Sequence, residues 1–171
     1  MFPPLQWTGG FCVREGWDRS AMRYGISAAA LVVRDNRLLL VNHREAGRYD
    51  FWLPPGGRLE GSESILECAR RETLEETGLV VEPDRILYVQ EFAESGYHFC
   101  KFFILCRSFS GELTLKNRDE EESFLVDVGF FSREDLRGLD VRPANLQGEF
   151  WADLESGLRQ TKYLGLERIE F

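Results

Sequence analysis

The chain has 171 residues, of which 43% are hydrophobic, and it carries a formal net charge of −8. This length suits one domain with a substantial core, and no apolar run approaches the roughly 20 residues that span a membrane. The acidic balance weighs against a protein that grips long nucleic acid through its phosphates. It does not exclude a small anionic substrate, because bound divalent cations make a carboxylate site locally positive.

The beginning of the chain shows no regular pattern of apolar residues. Residues 1–21 are therefore interpreted as an N-terminal extension that precedes a single domain over residues 22–171. No basic region is followed by an apolar stretch, so no signal peptide is predicted. The four cysteines lack the CxxC spacing of a zinc site or redox pair. They are interpreted as reduced core residues, which favours a cytoplasmic protein.

The first predicted elements are strands. Residues 26–33, ISAAALVV, predict a buried strand, and Asp35 and Asn36 predict a tight turn. Residues 38–42, LLLVN, are the predicted antiparallel partner of that strand. Residues 43–52 are predicted to form a loop that leads to a glycine pair.

The segment from Gly57 to Leu79 predicts a helix of about four turns, because its central part contains neither proline nor glycine. Gly61 or Ser62 is the predicted N-cap. Gly78 is the predicted glycine that ends the helix.

Three carboxylates crowd the margin of this helix's apolar face. With residues placed 100° apart, Glu72 and Glu76 lie beside the stripe that contains Leu66, Ala69 and Thr73, and Glu75 completes the cluster. Like charges at this spacing repel, and removing them from water is costly. A hard cation such as Mg²⁺ or Mn²⁺ offsets both penalties, because it prefers oxygen ligands. The alternative is a solvated acidic face.

The second half of the chain predicts more strands than helices. Strands are predicted at residues 86–92 and 97–106, around a turn at residues 94–96. The remaining predicted elements are a short strand at 111–116, an acidic loop at 117–123, a strand at 124–131, a short helix capped by Ser132, a helix at 145–158 and an extended tail at 162–171. The pattern predicts an α/β fold with a mixed sheet between helices.

The segment GRLEGSESILECARRETLEETGL resembles the Nudix box, a signature with many fixed positions. Thr73 departs from it, since a bulky aliphatic residue is usual there. The resemblance implies a Nudix-type α/β/α sandwich and hydrolysis of a pyrophosphate linkage in a nucleotide, nucleotide sugar or dinucleoside polyphosphate. The matching residues are Gly57, Glu63, Arg71, Glu72, Glu75, Glu76, Gly78 and Leu79.

The resemblance also implies roles for individual residues. Glu72, Glu75 and Glu76 would bind Mg²⁺, for which Mn²⁺ can substitute, together with the main-chain carbonyl of Gly57. Glu72 is also a candidate general base. Arg71 is expected to brace the carboxylates as an ion-pair partner.

A further acid from a downstream loop serves as ligand or base in many family members. Glu120, Glu121 and Glu122 are the candidates, ahead of Asp127, and Glu121 is favoured. The alternative is an ordinary solvated loop. For Glu63, a helper role and a structural role stay open, because the helical wheel places it about 180° from the cluster.

Arg44, Arg48 and Tyr97 are the candidate substrate-binding residues. The alternatives are two surface arginines and an ordinary strand tyrosine. The expected partner is a small-molecule nucleotide, with no long nucleic acid and no membrane, and a homodimer is one allowed oligomeric state. Two other functions are weighed: a nucleotide-binding regulatory domain that has lost catalysis, and an mRNA-decapping hydrolase, against which the acidic balance counts.

Overall fold

A computed structural model describes residues 22–116 and 124–168. It contains nine strands and two α-helices within those ranges. The strands are β1 (Arg23–Leu31), β2 (Val33–Arg34), β3 (Arg37–Glu45), β4 (Tyr49–Leu53), β5 (Gly56–Arg58), β6 (Leu79–Glu94), β7 (Tyr97–Gly111), β8 (Leu125–Ser132) and β9 (Lys162–Arg168), and the helices are α1 (Ile65–Thr77) and α2 (Glu149–Glu155).

The strands form two sheets. The larger sheet has the order β5-β1-β7-β6-β9 and is mixed, because β1 is parallel to β7 and β6 is parallel to β9. In the smaller sheet β3 pairs antiparallel with β2, β4 and β8. Each sheet carries part of the candidate site.

Alternate residues of β1 enter two separate buried clusters. Ala28 and Ala30 pack with Cys68 and Ala69 of α1, whereas Ala29 and Leu31 belong to the cluster that contains Phe150 of α2. Because side chains alternate between the faces of a strand, this pattern places a helix on each face. The predicted α/β sandwich with a mixed sheet is confirmed.

The predicted turn at Asp35 and Asn36 is confirmed, with φ values of 49° and 56°. The predicted pairing across it is wrong for most of the strand. Only Val33 and Arg34, in the separate strand β2, pair with β3. The longer strand β1 pairs with β5 and β7 in the other sheet, where both of its faces are buried over residues 27–31.

The predicted loop at residues 43–52 is a β-hairpin instead. Glu45 pairs with Tyr49 across a turn in which Gly47 has a φ of 77°. Charged side chains occupy the exposed positions of this hairpin, and that composition concealed the strand pattern.

Several later elements also differ from prediction. Residues 111–116 form no separate strand, since β7 already ends at Gly111. Ser132 and Asp135 exchange the capping hydrogen bonds expected of them, but a turn follows rather than an α-helix. The last helix is shorter than predicted, and the predicted tail contains strand β9, which pairs with β6.

Two further predictions concern reduced cysteines and the lack of a membrane-spanning segment. Cys68, Cys100 and Cys106 are free, and Cys68 is buried. No helix in the described ranges has both the length and the hydropathy needed to cross a membrane.

Candidate active site

Helix α1 begins two residues later than predicted. Its N-cap is Ser64, whose hydroxyl accepts from the N–H of Glu67 while the Glu67 carboxylate accepts from the N–H of Ser64. This reciprocal pair is a capping box, and it outcompetes Ser62. The predicted end of the helix is confirmed, because Gly78 has a φ of 74° and donates to the carbonyl of Leu74.

The predicted apolar face of α1 is buried except in the first turn of the helix. Ala69 and Thr73 are fully buried, as predicted, but Leu66 is 39% exposed. The hydroxyl of Thr73 donates to the carbonyl of Ala69 at 2.6 Å. This hydrogen bond allows threonine to be buried where a bulkier aliphatic side chain is usual. Glu72 and Glu76 are 8% and 4% exposed. Two carboxylates of α1 are therefore buried, which is costly unless charged or hydrogen-bonding groups compensate.

The Gly56–Gly57 pair supplies part of that compensation. The N–H of Gly56 donates to Glu76 Oε2 at 2.8 Å. A Cβ added to Gly57 would lie 2.2 Å from Glu72 Oε1 and would displace this carboxylate from its position. The carbonyl of Gly57 also lies 3.6 Å from the thiol of Cys68. Strand β5 and helix α1 are thus joined through both buried carboxylates.

Arg71 gathers three glutamates around one guanidinium. Its Nη1 donates to Glu72 Oε1 at 2.9 Å and to Glu75 Oε2 at 3.0 Å. Its Nη2 and Nε donate to the two carboxylate oxygens of Glu63 at 2.7 and 3.1 Å. The carboxylates raise the pKa of Arg71 above its ordinary value. The structure therefore places Arg71 where it can brace the cluster, as the sequence predicts.

Glu63 belongs to this network. The position about 180° from the cluster, which the helical wheel predicts for it, is wrong. Glu63 precedes α1, so its position does not follow helical periodicity. The hydrogen bonds from Arg71 are the main cause that lowers the pKa of Glu63 to about 2, and burial opposes them. The N–H of Glu60 adds a further hydrogen bond to this carboxylate. Glu63 holds Arg71 from the side opposite the other glutamates.

Two basic residues near the buried carboxylates escaped the sequence analysis. His43 Nε2 lies 3.9 Å from Glu76 Oε1. Burial, followed by the positive charge of Lys101, lowers the pKa of His43 to about 4, so this imidazole is neutral at pH 7. Lys101 lies in β7 within electrostatic range of Glu76 and Glu72, whose carboxylates oppose the lowering of its pKa by burial. His43 begins the segment predicted as a loop, and Lys101 lies in an apolar segment predicted as a strand, so only pairing between distant strands could reveal them.

The predicted metal ligands fit a hard divalent cation in kind, since all of their donor atoms are oxygens. Their placement is looser than a ligand shell. Glu72 and Glu75 each accept a hydrogen bond from Arg71 Nη1, whereas Glu76 accepts from the N–H of Gly56. Within residues 22–116 and 124–168, no three side chains of Asp, Glu, His or Cys are grouped as ligands of one ion. The assignment of Gly57, Glu72, Glu75 and Glu76 as ligands stays a prediction.

The predicted substrate-binding arginines belong to the β3–β4 hairpin. Arg44 pairs with Asp50 at 2.8 Å and Arg48 pairs with Glu45 at 2.7 Å, and all four side chains are exposed. Both arginines therefore fit the alternative interpretation, in which they are surface residues held by ion pairs. A role in substrate binding stays a prediction.

Tyr97 begins β7 and lines a cavity of about 560 Å³. The guanidinium carbons of Arg58 and Arg23 lie 4.6 and 5.6 Å from the centre of its ring. Arg58 directly follows Gly57, so the cavity adjoins the strand that contacts the buried carboxylates. A role of Tyr97 in substrate binding also stays a prediction.

The predicted loop acids Glu120, Glu121 and Glu122 lie outside the described residues. Asp127, the lower-ranked candidate, is exposed in β8 and accepts from the N–H of Val128 at 2.8 Å. The choice of Glu121 among the loop acids therefore stays a prediction.

Comparison of the sequence with known proteins gives a consistent result. The NUDIX domain family matches residues 23–152. A mouse protein, 8-oxo-dGDP phosphatase NUDT18, is 31% identical over 118 residues, which are 69% of this chain and 35% of that protein. A zebrafish protein, m7GpppN-mRNA hydrolase NUDT17, is 41% identical over 64 residues, which are 36% of this chain and 21% of that protein. The chain thus spans about a third or less of these relatives.

Solved structures agree with the fold. A MutT NUDIX hydrolase from Burkholderia pseudomallei superposes with a TM-score of 0.62 at 26% identity, over 74% of this chain and 97% of that one. The E. coli ORF135 protein gives a TM-score of 0.65 at 21% identity, over 81% and 96% of the two chains, which supports the fold alone. The family match covers most of the chain, and α1 forms the helix that the box predicts. Together with the structural neighbours, these findings show that the chain belongs to the Nudix family.

Proposed function

We propose that this chain is a metal-dependent hydrolase that cleaves a pyrophosphate linkage in a nucleoside diphosphate derivative, by attack of water at phosphorus. The observation that carries the proposal is the burial of Glu72 and Glu76 against the Gly56–Gly57 pair. Burying two carboxylates in one place destabilises a fold. The buried carboxylates are therefore better explained as a site that binds cations than as residues that stabilise the fold.

In this mechanism Glu72, Glu75, Glu76 and the Gly57 carbonyl would hold Mg²⁺ or Mn²⁺. The bound cation would supply positive charge that neutralises the phosphates and polarises the phosphorus–oxygen bonds. The protein's own contribution is to position its oxygens in advance. The Gly56 N–H fixes the orientation of Glu76, and Arg71 fixes the orientation of Glu72.

The base that takes a proton from the attacking water is either an acid of α1 or one of the acids at positions 120–122. Glu72 is the candidate in α1, and Glu121 is the favoured candidate among the acids that the structure does not describe. The hydrogen bond from Arg71 stabilises the ionised form of Glu72. Glu72 is therefore better suited to be a metal ligand than to be the base. In this proposal Glu121 is the base.

The relatives bear on the class of substrate. The matched region of the mouse NUDT18 protein covers 69% of this chain, whereas that of the zebrafish NUDT17 protein covers 36%. The names of these proteins specify a nucleoside diphosphate and an mRNA cap. The more extensive match and the net charge of −8 both favour a small nucleotide.

The test is a panel of candidate substrates at saturating Mg²⁺ and in excess chelator. It includes nucleoside diphosphates and triphosphates, nucleotide sugars, ADP-ribose, diadenosine polyphosphates and capped RNA. We expect metal-dependent release of phosphate or of a nucleoside monophosphate from a small nucleotide. Binding of nucleotides without turnover of any compound would instead support a regulatory domain that has lost catalysis.

A further inference from the structure

A row of polar side chains crosses the larger sheet in the middle of an otherwise apolar face. Ser27 of β1 pairs in register with Lys101 of β7, and Lys101 pairs with Gln90 of β6. Residues opposite each other on neighbouring strands place their side chains on the same face. Ser27, Lys101 and Gln90 are called the polar row below.

The residues on either side of the polar row are apolar. Two residues further along β1 and β7 lie Ala29 and Phe103, which belong to the buried cluster that also contains Phe150 of α2. Two residues in the other direction along β7 and β6 lie Phe99 and Phe92. Their rings are stacked, with centres 5.0 Å apart and planes inclined by 16°. The polar row thus separates the core from a strip of stacked aromatic rings.

Two members of the row are buried with unused hydrogen-bonding capacity. Ser27 is 5% exposed and Gln90 is 6% exposed. In the described part of the chain, Ser27 Oγ and Gln90 Oε1 have no hydrogen-bond partner. The amide nitrogen of Gln90 is occupied, since it donates to Glu167 Oε2 at 2.9 Å. Buried polar atoms normally have partners, so these two atoms indicate a place where something else binds.

Each group of the row has a defined hydrogen-bonding role. Lys101 can only donate, and Gln90 Oε1 can only accept, whereas the hydroxyl of Ser27 can do either. A ligand edge that complements them presents an acceptor to Lys101 beside a donor to Gln90. The ammonium group favours an electron-rich oxygen as its partner, since charge-assisted N–H···O bonds are the stronger kind.

Position links the row to the candidate active site. Ser27 also pairs in register with Arg58, the residue after Gly57. Lys101 also lies within electrostatic range of Glu76 and Glu72, because burial lowers its pKa and these two carboxylates oppose that lowering. A nucleotide whose phosphates lie at α1 could therefore extend its other end across this face, over the aromatic strip.

We propose that Ser27, Lys101 and Gln90 recognise the base of the nucleotide, and that they select bases with a carbonyl oxygen next to a ring N–H, such as guanine, hypoxanthine and uracil. The carbonyl accepts from Lys101, and the ring N–H donates to Gln90 Oε1. The inference rests on the proposed function, because it assigns the base specificity of that same site. It differs from the predictions for Arg44 and Arg48, which lie in the β3–β4 hairpin. Tyr97 lies at the end of the aromatic strip, where its ring stacks on Phe99 with centres 5.5 Å apart.

The experiment measures binding of nucleoside monophosphates in excess chelator, by calorimetry, so that no turnover is needed. GMP is compared with AMP, and UMP with CMP, because the second member of each pair carries an amino group in place of the carbonyl. A fifth probe, 1-methyl-GMP, keeps the carbonyl but lacks the N–H. We expect the wild-type chain to bind GMP and UMP roughly 10-fold or more tightly than AMP, CMP and 1-methyl-GMP.

The variant Lys101→Met should lose most of this preference by weakening GMP and UMP binding, with AMP and CMP little changed. Lys116→Met, which alters an exposed lysine, is the matched control and should keep the preference. Ser27→Ala, with exposed Ser110→Ala as its control, provides a second and smaller change in the row. A melting curve for each variant checks that it folds.

Three outcomes would overturn the inference. One is a wild-type chain without a preference between the members of each pair, a result that needs no variant. Another is an equal loss for all four nucleotides in Lys101→Met, which would make Lys101 a phosphate contact. The third is tight binding of 1-methyl-GMP. Turnover on the substrate panel is scored separately, so that selective binding without hydrolysis would count against the proposed function and not against the polar row.

Discussion

Gly57 and Glu72 occupy adjoining space, so that any side chain at position 57 would displace the Glu72 carboxylate. A Cβ built on Gly57 would lie 2.2 Å from Glu72 Oε1 and 2.5 Å from the carboxyl carbon. Neither distance is possible between non-bonded atoms. The fixed glycine of the box therefore has a steric cause in this protein, since it keeps the site of a buried carboxylate open.

The substitution Gly57→Ala should displace the carboxylate of Glu72. We expect turnover to fall by roughly 10²-fold, because small misplacements of a catalytic group have effects of that size. Stability should fall by about 1–3 kcal/mol as the crowded site rearranges. Gly148→Ala is the control, since nothing lies within 4 Å of a Cβ at that position. Steady-state kinetics and a urea titration measure both effects, and an active Gly57→Ala protein would show that Glu72 need not hold this position.

The Glu63–Arg71 pair should make stability depend on pH in the acid range. The pKa of Glu63 is lowered from 4.5 to about 2 in the folded chain. Its contribution is therefore complete above about pH 4.5 and is lost as the pH falls towards 2. At neutral pH, Glu63→Gln should lower the free energy of unfolding by about 1–3 kcal/mol.

The measurement is urea unfolding of the wild-type chain and of Glu63→Gln between pH 7 and pH 3. The difference between the two should shrink below pH 4.5, while Glu112→Gln, an exposed control, follows the wild type throughout. A constant difference across this range would mean that Glu63 supports the fold by packing rather than by its charge.

Local signals in the sequence predicted the centre of the fold well. The end of α1 at Gly78 and the turn at Asp35 and Asn36 follow from the tolerance of these residues for positive φ, and the structure has both. The buried positions of Ala69 and Thr73 follow from helical periodicity. These features depend on a few neighbouring residues, so the sequence alone is sufficient to predict them.

Features that depend on distant pairing were missed. Lys101 reads as one polar residue in an apolar strand, and its neighbours Ser27 and Gln90 become visible only when β1, β7 and β6 are aligned. The partner of β1 was wrong for the same reason, because a tight turn favours pairing of the strands beside it. Glu63 was misplaced because it lies two residues before the first helical residue, Ile65, where the helical wheel does not apply.

Metal binding should stabilise the folded chain. A ligand that binds only the folded state contributes about 2.7 kcal/mol at 100 times its dissociation constant, which for a chain of this length corresponds to a rise in melting temperature of roughly 5–10 °C. We expect this rise with Mg²⁺ but not with KCl of equal ionic strength. Glu72→Gln should reduce it strongly, whereas Glu112→Gln should not. An equal response to both salts would point to general screening of the acidic surface.

The acids at positions 120–122 should be unequal in function. We expect one single Gln variant, with Glu121→Gln favoured, to slow turnover by roughly 10²-fold or more, as the loss of a general base does. The other two should change little, because a substitution outside a functional site usually alters stability by no more than about 0.5 kcal/mol. Turnover per enzyme at saturating Mg²⁺ decides this, with a melting curve for each variant. Three fully active variants would return the role of base to Glu72.

The most direct test of the proposed function is the turnover of Glu76→Gln on the best substrate of the panel, measured across a Mg²⁺ titration. The substitution keeps the size of the side chain and an oxygen that can accept from the Gly56 N–H, but it removes the negative charge. We predict a folded protein whose turnover is at least roughly 10²-fold lower at every Mg²⁺ concentration, beside a fully active Glu112→Gln control. Full turnover by a folded Glu76→Gln protein, or full turnover of the wild type in excess chelator, would contradict the account.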